Sequence, residues 1–178
     1  MTAQSLARRP IASILVALAV ASSESTAQPA TTPAVDEIRI DKSDHTLALY
    51  ASGKPVRVYK VAIGSGGAGP KKMEGDMVTP VGTYKVAGRF KGLFHQFLSV
   101  SYPNDDDRRR FAERKAQGLV PSGVTVGFGI GIHGVGRREW NGIHKNSDWT
   151  AGCVAVDDAE IDEIGGLVRD GTKIVITD

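Results

Sequence analysis

Gly129-Ile130-Gly131-Ile132-His133-Gly134, followed after a loop-like stretch by Asp148-Trp149-Thr150-Ala151-Gly152-Cys153-Val154-Ala155-Val156, decides how this chain is read. The first segment has the look of a strand that delivers a histidine to its end, beside a glycine that admits close backbone approach. The second carries the chain's single cysteine between Gly152 and a strand-like Val154-Ala155-Val156, where the sulfur is expected at an exposed loop tip. Trp140 to Ser147, between them, is polar and turn-rich and includes His144 and Lys145.

One cysteine cannot form an internal disulfide, so the thiol has two readings. It is either a small buried hydrophobe or a reactive group. The nucleophile is the thiolate, and a free thiol has a pKa of about 8.5, so a reactive reading needs an imidazole or backbone donors close by. His133 or His144 can supply the imidazole. The N–H groups around Gly152 and Cys153, uncovered beside a glycine, are suited to hold an oxyanion.

Working outward, the alternation of Glu37–Ile40 and Thr46–Tyr50 around Lys42-Ser43-Asp44 predicts a hairpin. Ser52-Gly53 turns the chain into a third strand, Val56 to Ile63, with its alternation interrupted near Tyr59. Val81–Val86, Phe97–Val100 and Lys173–Thr177 add strands. A charged surface helix is expected from about Asn104 to Gln117, capped by Asn104 or Asp105 and ended by Gly118. A second starts at Asp157, with Glu160 three residues on in capping-box spacing, and turns Ile161, Ile164 and Leu167 or Val168 to one face. The fold class is therefore mostly β with two short helices.

At 178 residues there is room for one domain with a core. The net charge of +2 is spread along the chain, and the Arg108-Arg109-Arg110 cluster is balanced by Asp105-Asp106-Asp107, so nothing points to a nucleic-acid partner. Arg8-Arg9, an uncharged run Ile11–Ala21 too short for a bilayer, and Ser25-Thr26-Ala27 read as a secretory signal peptide over residues 1–27. A flexible linker follows at 28–35 and the domain at 36–178, in a protein exported to the cell envelope or periplasm with no membrane span after cleavage.

Other signals carry less. Gly64-Ser65-Gly66-Gly67-Ala68-Gly69 matches a dinucleotide fingerprint, but no amphipathic helix or βαβ unit follows, which leaves a flexible glycine loop. Lys71 and Lys72 just beyond it read either as solvated lysines on that loop or as partners for a substrate carboxylate. His133, His144, Asp148 and Cys153 resemble no standard metal motif, and no metal or other cofactor is expected. His45 and His95 read as structural. Trp140 and Trp149 either line a groove or pack in the core.

His133-Gly134 with Thr150-Ala151-Gly152-Cys153 beyond, together with Gly75-Asp76 and Thr79-Pro80-Val81-Gly82-Thr83-Tyr84, resembles the L,D-transpeptidase catalytic (YkuD) family. The Asp148–Val156 stretch is similar to its YafK-like branch, and the opening meander is similar in pattern. The resemblance covers nearly all of 36–178 and implies a sandwich-like or barrel-like β domain. It further implies Cys153 as acylated nucleophile, His133 as general base, Gly134 as the carbonyl orienting that imidazole, Thr150 as the motif hydroxyl and Gly152 as an oxyanion contributor. Peptidoglycan stem peptides are the implied substrate, with transfer to an amine of another stem or of a wall-anchored lipoprotein. Water as acceptor, giving a carboxypeptidase or lipoprotein-releasing amidase, and a non-catalytic wall-binding module are the alternatives. Many members carry His and then Arg or Asn where this chain has Ala151 and Ala155. His144 is a candidate to fill the space at Ala151 as hydrogen-bond partner or second base, and Trp149 and Lys71 are further substrate candidates.

Overall fold

The computed structural model describes Met1, Thr2 and residues 34–178. All but the first two residues of the expected signal peptide, and most of the expected linker, fall outside the described residues. Among the described residues no helix is long and apolar enough to cross a membrane.

Alternation becomes sheet where expected. β1 (Glu37–Asp41) buries Ile38 and Ile40 and pairs antiparallel with β2 (Thr46–Ala51), which sets Ile38 opposite Leu49 and Ile40 opposite Leu47. β3 (Lys54–Lys60) follows on β2 and runs unbroken through Tyr59, a register shift opposite Leu49 and Tyr50 absorbing the irregular alternation. It ends at Lys60, earlier than expected. β4 (Gly82–Gly92) is nearly twice as long as its sequence signal and turns at Leu93-Phe94 into β5 (His95–Val100).

α1 (Asp105–Ala116) has a reciprocal cap: Asn104 Oδ1 accepts from Asp107 N at 2.9 Å, and Asp107 Oδ2 accepts from Asn104 N at 3.0 Å. It is less of a free surface helix than its charge suggests, because Asp107 is buried and accepts from the Tyr84 hydroxyl at 3.0 Å. Short β6 (Gly131–His133) and β7 (Val154–Ala155) come next, then α2 (Asp158–Leu167) and β8 (Lys173–Thr177).

The sheet order is β3-β2-β1-β8-β4-β5-β6-β7. β8 lies parallel to β1, with Ile174 beside Ile38 and Ile176 beside Ile40. The first half of β4 pairs with β8 and the second with β5, so this long strand joins the N-terminal meander to the end carrying β6 and β7. Ile161 and Ile164 of α2 are fully buried in the same core. Each side chain buried this completely contributes roughly 1.5–3 kcal/mol.

Candidate active site

Register brings the two decisive segments together. β6 and β7 pair in parallel, Ile132 beside Val154 and His133 beside Ala155, and Val156 N donates to His133 O at 2.9 Å. Cys153 therefore sits at the mouth of β7 next to the strand that ends in His133. Gly131 has no alternative there: a Cβ would lie 2.2 Å from Phe97 Cζ. Gly152 has φ +125°, and a Cβ on it would press on Val78 O at 2.8 Å.

Two threonines bracket the cysteine. Thr150 Oγ1 donates to Cys153 O at 2.7 Å and accepts from Gly152 N at 3.1 Å. Thr79 Oγ1 accepts from Gly64 N at 2.8 Å and lies 3.5 Å from Cys153 O. The Gly152 N–H is thus engaged by Thr150, and the glycine's positive φ forms the turn that presents Cys153.

His133 is buried. Its Nδ1 lies 2.6 Å from Gly134 O, and since a carbonyl can only accept, Nδ1 carries the proton and Nε2 keeps its lone pair. Phe94 lies 4.5 Å from the imidazole centroid, Phe97 stacks at 5.9 Å, and Trp149 presents its edge at 5.9 Å. Burial in this box lowers the imidazole pKa below its ordinary value; the Gly134 carbonyl opposes the shift and His144 adds to it. Phe94 reaches the site from the β4–β5 hairpin tip, a contact without a signal in local sequence.

Cys153 is half-buried, and its thiol donates to Gly129 O at 3.5 Å. Burial raises its pKa; a hydrogen bond from the Gly131 backbone and the charge of Lys71 work the other way. Thiol and imidazole are thus both favoured in their neutral forms.

Carboxylates hold the surrounding loop. Asp158 Oδ1 accepts from Val135 N at 2.8 Å and Gly136 N at 3.0 Å. Asp157 accepts from Gly142 N and Lys145 Nζ, and from His144 Nε2 at 3.1 Å. Asp148 accepts from Ile63 N and from His45 Nε2, each at 3.0 Å. His144 is buried and committed to Asp157, with its ring 6.2 Å from Trp149. The residues that line the cavity beside Ala151 do not include it. Trp140 is exposed and Trp149 half-buried, with the two rings edge to face at 6.2 Å.

The glycine stretch at 64–69 is not a free loop. Gly66 N donates to Met77 O at 2.9 Å and Ser65 N to Thr150 O at 3.0 Å. Lys71 is buried rather than solvated, with its Nζ 2.6 Å from Asp76 Oδ1. Asp76 also accepts from the N–H groups of Lys72, Met73 and Val78.

Comparison with known proteins agrees with this architecture. The L,D-transpeptidase catalytic domain (YkuD) description matches residues 36–176. YafK of Escherichia coli (strain K12) is 32% identical over 97 residues, 51% of this chain and 39% of YafK. The helical cell shape determining protein Pgp2 of Campylobacter jejuni superposes with a TM-score of 0.58 at 24% identity, over 83% of this chain and 49% of that one. An L,D-transpeptidase of Xylanimonas cellulosilytica gives 0.52 at 16% identity, over 84% and 63%. The chain belongs to the YkuD family of L,D-transpeptidase catalytic domains. It spans less than half the length of YafK and about half that of the Pgp2 chain.

Proposed function

We propose that this chain is an exported enzyme of the cell envelope that carries the acyl part of a peptidoglycan stem peptide on Cys153. The observation that carries the reading is the His133 tautomer: Nδ1 is held by Gly134 O inside an aromatic box, which leaves Nε2 as a neutral base. Nε2 takes the thiol proton as the sulfur turns from Gly129 O to attack the carbonyl at the L-centre of diaminopimelate. The Cys153 N–H is the oxyanion donor, since that of Gly152 is engaged. The C–N bond breaks, and terminal D-alanine leaves as its nitrogen accepts the proton from His133.

An amine then attacks the thioester, from a second stem peptide to give a 3-3 cross-link or from a lipoprotein lysine. Water in its place gives the shortened stem or, on a lipoprotein-linked stem, release. The description of Pgp2 as a cell shape determinant supports a wall-remodelling role. Incubating purified muropeptides with the enzyme tests the reading. Loss of terminal D-alanine is expected, with 3-3 dimers for an amine acceptor and tripeptides for water. An unchanged muropeptide profile, or equal change with Cys153→Ala, overturns it. Mass spectrometry of the mature protein is expected to find its N-terminus near Gln28.

A further inference from the structure

Ala151 and Lys71 line a common cavity of about 150 Å³, together with Met77, Phe128, Ile130 and the exposed Glu74. One of its walls, Ala151, belongs to the turn that presents the nucleophile. Ala151 lies two residues before Cys153, and Ile130 lies beside Gly152, within 3.0 Å of where a Cβ would stand. Taking roughly 30 Å³ per water, the space suits about five waters or one small residue, not a peptide.

Lys71 is unusual in this wall. Its side chain is only 4% exposed, and among the described residues its ion-pair partner is Asp76. An ammonium has three protons to donate, and a buried one is costly to leave partly unpaired. Asp76 shares its carboxylate between Lys71 and three backbone N–H groups, so the ammonium is not its sole support. Glu74 hydrogen-bonds Thr125 Oγ1 at 2.6 Å, which keeps its negative charge at the exposed rim.

We propose that this cavity receives the leaving residue of the acyl donor and that Lys71 recognises its terminal carboxylate. The inference rests on the acyl-transfer reading above. In the donor the terminal carboxylate lies one residue beyond the scissile carbonyl, three bonds along the chain. A substrate whose carbonyl meets Cys153 therefore projects that carboxylate into the adjoining space. Lys71 is also close enough for its charge to be felt at the thiol. Ala151, with a single methyl, keeps the space open; a larger side chain there closes it. As the C–S bond forms and the C–N bond breaks, the leaving amino acid takes its proton from His133 while its carboxylate stays on Lys71.

Two tetrapeptide donors test the assignment, one with a free terminal carboxylate and one with that carboxylate as the primary amide. Wild-type enzyme is expected to prefer the acid by about 10- to 100-fold in kcat/KM, the range of a charge-assisted hydrogen bond. Lys71→Met is expected to lose that factor on the acid alone, bringing the ratio near one. Ala151→Leu, which leaves the Lys71–Asp76 pair in place, is expected to raise KM for the acid at an unchanged melting temperature. A wild-type ratio of one, or a Lys71→Met ratio equal to wild type, overturns the cavity assignment while leaving the acyl-transfer reading intact. Unaltered KM in Ala151→Leu does the same. If wild type consumes neither peptide, the acyl-transfer reading fails and the assignment falls with it.

Discussion

The β1–β2–β8 ladder and the β6–β7 pair belong to one sheet but are built differently. The first uses strands of five and six residues, continuous backbone pairing and fully buried Ile38, Ile40, Leu47, Leu49, Ile174 and Ile176. The second has strands of three and two residues, too short to define a loop of some twenty residues between them. Side chains do that work: Asp158 on Val135 and Gly136, Asp157 on Gly142, Asp148 on Ile63 and Thr150 on the Cys153 turn. The regular end supplies burial. The irregular end exchanges ladder bonds for point contacts, each holding backbone in a conformation that a strand would not adopt.

The largest expected effect should leave the regular end untouched. Cys153→Ala is expected to lower D-alanine release by at least about 10⁴-fold with an unchanged melting curve, and a residual rate within tenfold of wild type breaks the nucleophile assignment. Next comes the ladder itself. Ile174→Ala is expected to cost about 2–5 kcal/mol in urea unfolding, roughly 30- to 5,000-fold in the folding equilibrium, while kcat of the folded fraction holds.

Asp158→Ala reverses that pattern. Freeing Val135 and Gly136 next to His133 is expected to cost about 10²-fold in kcat/KM for little stability, and an equal loss in both would show that the clamp is merely structural. Smaller still is the pH response. With the His133 pKa below its ordinary 6.5, the base is neutral above that value and is lost as pH falls through it. Activity should therefore fall about tenfold per unit only on an acid limb lying below pH 6.5. A limb centred above pH 7 contradicts the buried, neutral imidazole.

The carboxylate clamps add the smallest effect. Burial works against ionised Asp158, but hydrogen bonds from Gly136, Val135 and Asn141 outweigh it and hold its pKa below 3.8. A depressed folded-state pKa stabilises above the unfolded value and ceases to do so as pH falls through the folded one. Hydrogen exchange is thus expected to quicken at Val135 and Gly136 below pH 3.8 before it does in β1 and β8.

Much of this contrast was legible in advance, for physical reasons that differ by element. The meander was read from alternation because one buried face imposes period two on β1 and β2. The starts of α1 and α2 were read from capping residues, which act on backbone within a turn of themselves. His133 and Cys153 were singled out because glycines and strand signals surround both. The second half of β4 was missed: Arg89 to Gly92 is exposed and has no buried face to advertise it. Phe94 on His133 and Asp148 on Ile63 were missed because their partners lie far along the chain. Lys71 was undecided between solvent and site because burial of a lysine depends on neighbours that sequence does not name.

By itself the sequence determined the local matters: which segments alternate, where helices begin, and that a lone thiol follows Thr150-Ala151-Gly152 some twenty residues after a strand-borne histidine. Those follow from interactions within a few residues. Only the tertiary structure decided that β8 returns parallel to β1 and that the hairpin tip places Phe94 on His133. It also decided that Lys71 is buried in a cavity beside Ala151. Each of these is a meeting of distant segments, set by how a continuous core closes and by which buried polar groups find partners when it does.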